Sequence, residues 1–133
     1  MAIVATRARI VSPSYQAYQI LHIVFTVIPV IAGLDKFFHF LVNWDMYVWP
    51  RIPGMLGITV PSFMLGVGVI EVVAGLIVAV APRIGGWVVA AWLCGIIVNL
   101  LMIPGYFDVA VRDLGLAFGA VALSRLSREF SEL

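Results

Sequence analysis

Charge is what this sequence lacks most. Its 133 residues include 8 basic and 7 acidic side chains, or 11% charged, where a soluble domain carries about a quarter. Such a chain cannot cover a folded core with a hydrated surface, which excludes an ordinary soluble domain. The net charge of +1 and the absence of a basic run exclude electrostatic capture of nucleic acid. The one cysteine, Cys94, rules out an internal disulfide and any cysteine-built metal or iron–sulfur centre. There is no glycine-rich dinucleotide fingerprint and no HExxH or ExxH spacing, so no metal site is expected. What fills the space is apolar: 63% of residues are hydrophobic and the mean hydropathy is +1.11. A membrane protein is expected, built as a single transmembrane domain over residues 1–133, because each spanning helix needs about 20 apolar residues.

Charged residues are expensive at mid-bilayer, so the gaps between them mark the spans. They predict an all-α, up-down-up-down four-helix membrane bundle with helices near 18–41, 61–81, 84–103 and 107–126. Pro29 should kink the first, Pro61 suits the first turn of the second, and Pro82 and Pro104-Gly105 are stop signals. The apolar stretch after Arg7 and Arg9 is too long for a cleaved leader and reads as a retained helix. The long connection, 42–59, holds Trp44, Tyr47, Trp49, Pro50 and Pro53, and its amphipathic aromatics suit a loop lying along the membrane surface. In this topology Arg7, Arg9, Arg83, Arg125 and Arg128 share one side against Lys36, Arg51 and Arg112 on the other. That bias points to both termini in the cytoplasm.

Small residues four apart, at Gly75-x-x-x-Ala79, Gly86-x-x-x-Ala90, Ala91-x-x-x-Gly95 and Gly115-x-x-x-Gly119, form stripes on which helices approach closely in lipid. They predict intrachain packing, with a remaining stripe available to other membrane subunits or to a second copy of the chain. Asn99 should hydrogen-bond across the bundle.

Glu71 falls near the middle of the second span, where an unpaired carboxylate is very costly. Lys36 and Arg112 are its candidate partners, and with Asp35 and Asp113 they make a cluster of buried ionisable groups. That cluster is either a salt-bridge network fixing helix register or a polar pocket for a quinone head group or a proton relay. Two histidines raise the question of haem, but His22 and His39 lie 17 positions apart, about 25 Å along one helix. One chain cannot clamp a haem between them. His22 reads as a packed histidine, and His39 as an i, i+4 partner of Asp35.

Three segments carry a resemblance. FTVIPVIAGLDKFF (25–38), GVIEVVAGLIVAVAP (68–82) and RDLGLAFGAVALSRL (112–126) resemble, in order, the first, second and last helices of the DoxX-like family of small four-helix bacterial membrane proteins. Lys36, Glu71, Arg112 and Asp113 occupy the family's charged positions. The resemblance implies a four-helix bundle in the bacterial inner membrane, associated with redox proteins. It leads to the expectation of a non-catalytic subunit of a respiratory or other redox membrane complex, contacting lipid and lining a quinone or lipid pocket, with the aromatic loop as a docking surface for an extracytoplasmic partner. The alternatives are a stand-alone quinone-reactive or haem-bearing protein, and a small proton-coupled transporter using Glu71.

Overall fold

The computed structural model describes residues 12–131, and every regular element among them is helical. Helix α1 (Pro13–Phe38) starts where the Ser12 hydroxyl accepts the Tyr15 N–H at 3.2 Å and Pro13 takes the first turn, a position that needs no N–H donor. It therefore begins five residues before the expected 18, and it runs unbroken through Pro29. It ends at His39, whose φ of 57° turns the chain out of the helix. The Asp35 carboxylate holds this exit by accepting the N–H groups of Phe40 and Leu41 and the indole N–H of Trp44, at 2.7–3.1 Å.

A 3-10 turn (Trp44–Tyr47) and a short helix α2 (Arg51–Met55) follow. Helix α3 (Val60–Val80) is capped by the Thr59 hydroxyl. A single residue, Ala81, separates it from α4 (Pro82–Leu101), because proline lacks the donor that would continue the α3 ladder. Gly105, at φ +100°, turns the chain into α5 (Phe107–Phe130). These bounds lie within a few residues of the expected spans. Arg7 and Arg9 of the charge count fall outside the described residues.

The helices pack as two close pairs. In the first, α1 runs antiparallel to α3: a methyl group on Gly33 would come within 2.5 Å of the Gly68 carbonyl oxygen, and one on Gly75 within 2.8 Å of the Thr26 carbonyl. In the second, α4 runs antiparallel to α5, and a methyl on Gly86 would meet the Ala120 carbonyl at 2.7 Å. Gly85 against Val78 and Gly119 against Phe25 join the pairs. The core of Phe25, Ala74, Val78, Val89, Ala90, Ala120 and Leu123 lies between them. Gly75, Gly86 and Gly119 thus serve the packing expected of them. Gly95 and Gly115 meet no neighbour within the described residues, since nothing stands within 4 Å of where their side chains would begin.

The outer surface is apolar at helical spacing, as at Ile20, Ile23, Val27, Ile31 and Leu34 of α1, the inverse of a soluble helix. Three helices, α1, α3 and α4, are long and apolar enough to cross a membrane. Helix α5 falls short of that standard for a physical reason. Asp108, Arg112 and Asp113 near its start and Arg125, Arg128 and Glu129 near its end leave only 114–124 uncharged, about 16 Å of helix.

Candidate functional site

Between the two close pairs lies a cavity of about 700 Å³, well within the range of small-molecule sites. Most of its wall is aliphatic or aromatic, including Phe25, Ile28, Phe63, Val67, Leu93 and Leu116. The polar side chains gather among the rest of the lining: Lys36, Glu71, Trp92, Asn99, Arg112 and Asp113. An apolar chamber with a few convergent polar groups is the composition of a binding site for a small amphipathic molecule.

The strongest contact in it joins α1 to α3. Lys36 Nζ donates to Glu71 Oε2 at 2.8 Å, with side-chain exposures of 3% and 11%. Lys36 reaches this depth because its flexible stem runs along the helix surface, and Gly68 leaves room for it: a methyl there would touch the Lys36 Cβ at 3.1 Å. The ammonium also lies over the Trp44 ring, 4.0 Å from its centroid, a favourable placement for a desolvated cation. The Trp92 indole N–H is buried beside Glu71, its nearest acceptor, without closing a hydrogen bond of full geometry. A buried donor held so loosely by Glu71 at the wall of an apolar chamber keeps some of its hydrogen-bonding capacity.

The expected five-membered cluster is divided. Lys36, Glu71, Arg112 and Asp113 all line the cavity, whereas Asp35 is committed to the end of α1 and the Trp44 indole. Arg112 does not bridge to Glu71. Its side chain is 66% exposed and its Nε and Nη2 hold Asp113 Oδ1 at 3.2 and 3.1 Å, while Asp113 itself is buried. Adjacent on one helix, the pair satisfy each other without crossing the chamber.

The 42–59 connection does more than lie beside the helices. Val42, Trp44, Tyr47, Val48 and Ile52 form part of the cavity wall, so the connection closes one end of the chamber. Asn99 holds it there: its side-chain oxygen accepts the Trp49 N–H at 2.8 Å and its amide donates to the Tyr47 carbonyl at 2.6 Å. Asn99 therefore clasps loop backbone rather than a neighbouring helix. Tyr47 also packs on Tyr106, with ring centroids 5.0 Å apart. The outward face exposes Phe40, Leu41, Met55 and Leu56, in keeping with a membrane-surface segment.

The histidines stand apart from the cavity. His22 stacks on Tyr18 and its Nε2 lies 2.9 Å from the Val78 carbonyl oxygen, which makes it a packing group between α1 and α3. His39 is exposed, and its link to Asp35 is between backbone atoms, N–H to carbonyl oxygen at 2.6 Å. The side-chain pair expected from their spacing is replaced by the turn itself, because the Asp35 carboxylate already serves Phe40, Leu41 and Trp44.

No family model, no curated protein and no solved structure matches the chain.

Proposed function

We propose that this protein is a four-helix integral membrane subunit whose interior chamber holds a lipid-soluble molecule with a hydrogen-bonding head, an isoprenoid quinone in the first instance. The observation that carries the reading is the pairing of an apolar chamber of about 700 Å³ with the Lys36–Glu71 ion pair and the buried Trp92 indole N–H beside it. A quinone carbonyl is an acceptor without a proton to give, which matches an indole N–H and an ammonium. Its apolar tail matches the aliphatic wall. Helix α5 crosses with the others in this reading, because Arg112 and Asp113 pair with each other beside the chamber and its remaining charges sit toward its ends.

When bound, the quinone would supply the redox chemistry. Lys36 and Trp92 would orient the head, Glu71 would hold the Lys36 ammonium in place, and the Asn99-clasped loop would exclude water from one end. The chain contributes binding and scaffolding to a redox complex in a bacterial inner membrane, with both termini cytoplasmic. Kinship with the DoxX-like proteins, on the three segments that resemble them, is part of the same proposal.

The test is purification from native membranes in mild detergent, with quinone and partner subunits quantified by mass spectrometry. Quinone enriched over bulk lipid, and reduced in Trp92→Phe, is the expected result. Quinone at the bulk ratio in the wild-type protein overturns the ligand, and a preparation free of redox subunits overturns the complex.

A further inference from the structure

At the opposite end of the molecule from Lys36, the first turn of α4 docks on the last turns of α5. The contact is close and directional. Gly86 admits the α5 backbone, and the Ser124 hydroxyl donates to the Arg83 carbonyl at 2.6 Å. Ser124 and Ser127 are fully buried there, so this junction is fixed by packing as well as by hydrogen bonding. It brings Arg83 of α4 alongside Arg125 and Arg128 of α5, which are three residues apart and so share a face.

The three arginines, with Ile84 and Trp87, line a cleft of about 210 Å³. The ion pairs among the described residues are Lys36–Glu71 and Arg112–Asp113. Glu129, one turn beyond Arg125, pairs with none of the three. Three arginines thus line one cleft with no ion pair to a carboxylate among the described residues, and the Ser124 and Gly86 contacts fix the two helices that carry them. An anion in the cleft would balance their charge, and guanidinium forks match phosphate oxygens in bidentate geometry.

The position selects the kind of anion. Trp87 and Ile84, exposed by 52% and 59%, flank the arginines on an α4 that is otherwise long and apolar enough to span a membrane. An amphipathic tryptophan at the end of such a helix marks the level of lipid headgroups, and basic pockets between helices at that level suit acidic lipid heads.

We propose that this cleft binds the phosphodiester headgroup of an anionic phospholipid, with Arg83, Arg125 and Arg128 on the phosphate and Trp87 and Ile84 along the start of the acyl chains. The proposal relies on the chain lying in a membrane. It is independent of what the central chamber holds.

The test titrates the purified protein, in neutral maltoside detergent, with palmitoyl-oleoyl phosphatidylglycerol or the matching phosphatidylcholine, and reads bound lipid by native mass spectrometry. The wild-type protein should prefer phosphatidylglycerol. At about five-fold per basic residue near the surface, the Arg83→Gln/Arg125→Gln/Arg128→Gln variant should lose roughly a hundred-fold in that preference. Arg51→Gln, which removes the same kind of charge elsewhere, should leave it intact. Should the triple variant fold poorly, the single variants Arg83→Gln and Arg128→Gln must each lower the preference several-fold. Equal binding of the two lipids, or a preference that survives the substitutions, overturns the proposal. Inorganic phosphate that displaces phosphatidylglycerol at equal concentration overturns the lipid as the ligand and leaves a free-anion site.

Discussion

Replacing Glu71 with Gln isolates what the buried ion pair contributes. Lys36 Nζ has Glu71 Oε2 at 2.8 Å, the Ala32 carbonyl at 3.5 Å and the Trp44 ring beneath it. With its side chain 3% exposed, the ammonium has little water to take the carboxylate's place. Glutamine preserves the shape and can offer its carbonyl oxygen, but it strands the ammonium charge. Removing one partner of a buried pair costs about 3–5 kcal/mol, and the retained neutral acceptor recovers about 1 kcal/mol. The expected loss is therefore about 2–4 kcal/mol. Replacing both groups, as Lys36→Met/Glu71→Leu, removes the desolvation burden together with the attraction and should be near neutral or stabilising. The measurement is reversible unfolding in maltoside–dodecylsulfate micelles, followed by far-ultraviolet circular dichroism so that tryptophan environment does not bias the signal. A loss below about 1 kcal/mol in Glu71→Gln refutes the argument that the pair is desolvated. So does a double variant as damaged as the single one, because removing the stranded ammonium should relieve the loss.

The glycines separate packing from mere composition: Gly33→Ala drives a methyl into the Gly68 carbonyl and should cost about 1–3 kcal/mol in the same unfolding assay. Gly115→Ala meets nothing and should be neutral or stabilise by up to about 1 kcal/mol. Asn99→Leu leaves the part-buried Trp49 N–H and Tyr47 carbonyl without their partner, costing about 1 kcal/mol for each group. Hydrogen exchange should report it as faster exchange at Trp49, while exchange in the middle of α3 stays slow. Gly95 lines the chamber with open space at its Cβ position, so Gly95→Leu should keep or raise stability through about 1 kcal/mol of helix propensity while lowering quinone retained on purification. Unchanged retention in that variant would place the ligand outside the chamber.

The helices were legible because proline and charge punctuate an otherwise apolar text. Ser12-Pro13, Thr59-Pro61, Pro82 and Pro104-Gly105 mark element ends for reasons that act within a few residues of the chain. Glu71 and Lys36 were legible as partners because a lone charge in a long apolar run demands one. Gly33 was not singled out: its register against Gly68 is a property of two helices, and no small residue stands four positions away on either side to announce it. Trp92 carried no signal either, since an indole in an apolar helix reads as packing until its N–H is seen beside Glu71. Asp35 and Asn99 were recognised as polar groups but sent to the wrong partners. Both serve the loop, and loop backbone is the one acceptor and donor set that helical periodicity never reveals.

The chamber follows from how closely the helices pair. Carbonyl oxygens at Gly68, Thr26 and Ala120 sit where side chains would ordinarily hold two helices apart, so α1 lies on α3 and α4 on α5 at small-residue contact distance. Close contact within pairs requires the small residues to face the partner, which sends larger side chains around the rim and into the space between the pairs. Phe25 and Val78 close that space toward the Arg83 end, where Gly119 and Gly85 receive them. Toward the Lys36 end no such receiving glycine exists among the described residues, and the loop, drawn inward by Asn99 and Trp44, completes the wall. The polar groups gather at the end that packing leaves open. An ion pair there loses less by sitting beside a chamber than it would inside a filled core, because a ligand head can share its hydrogen bonds. The same geometry that prevents the bundle from closing thus sets Lys36 and Glu71 beside open volume rather than inside a filled core.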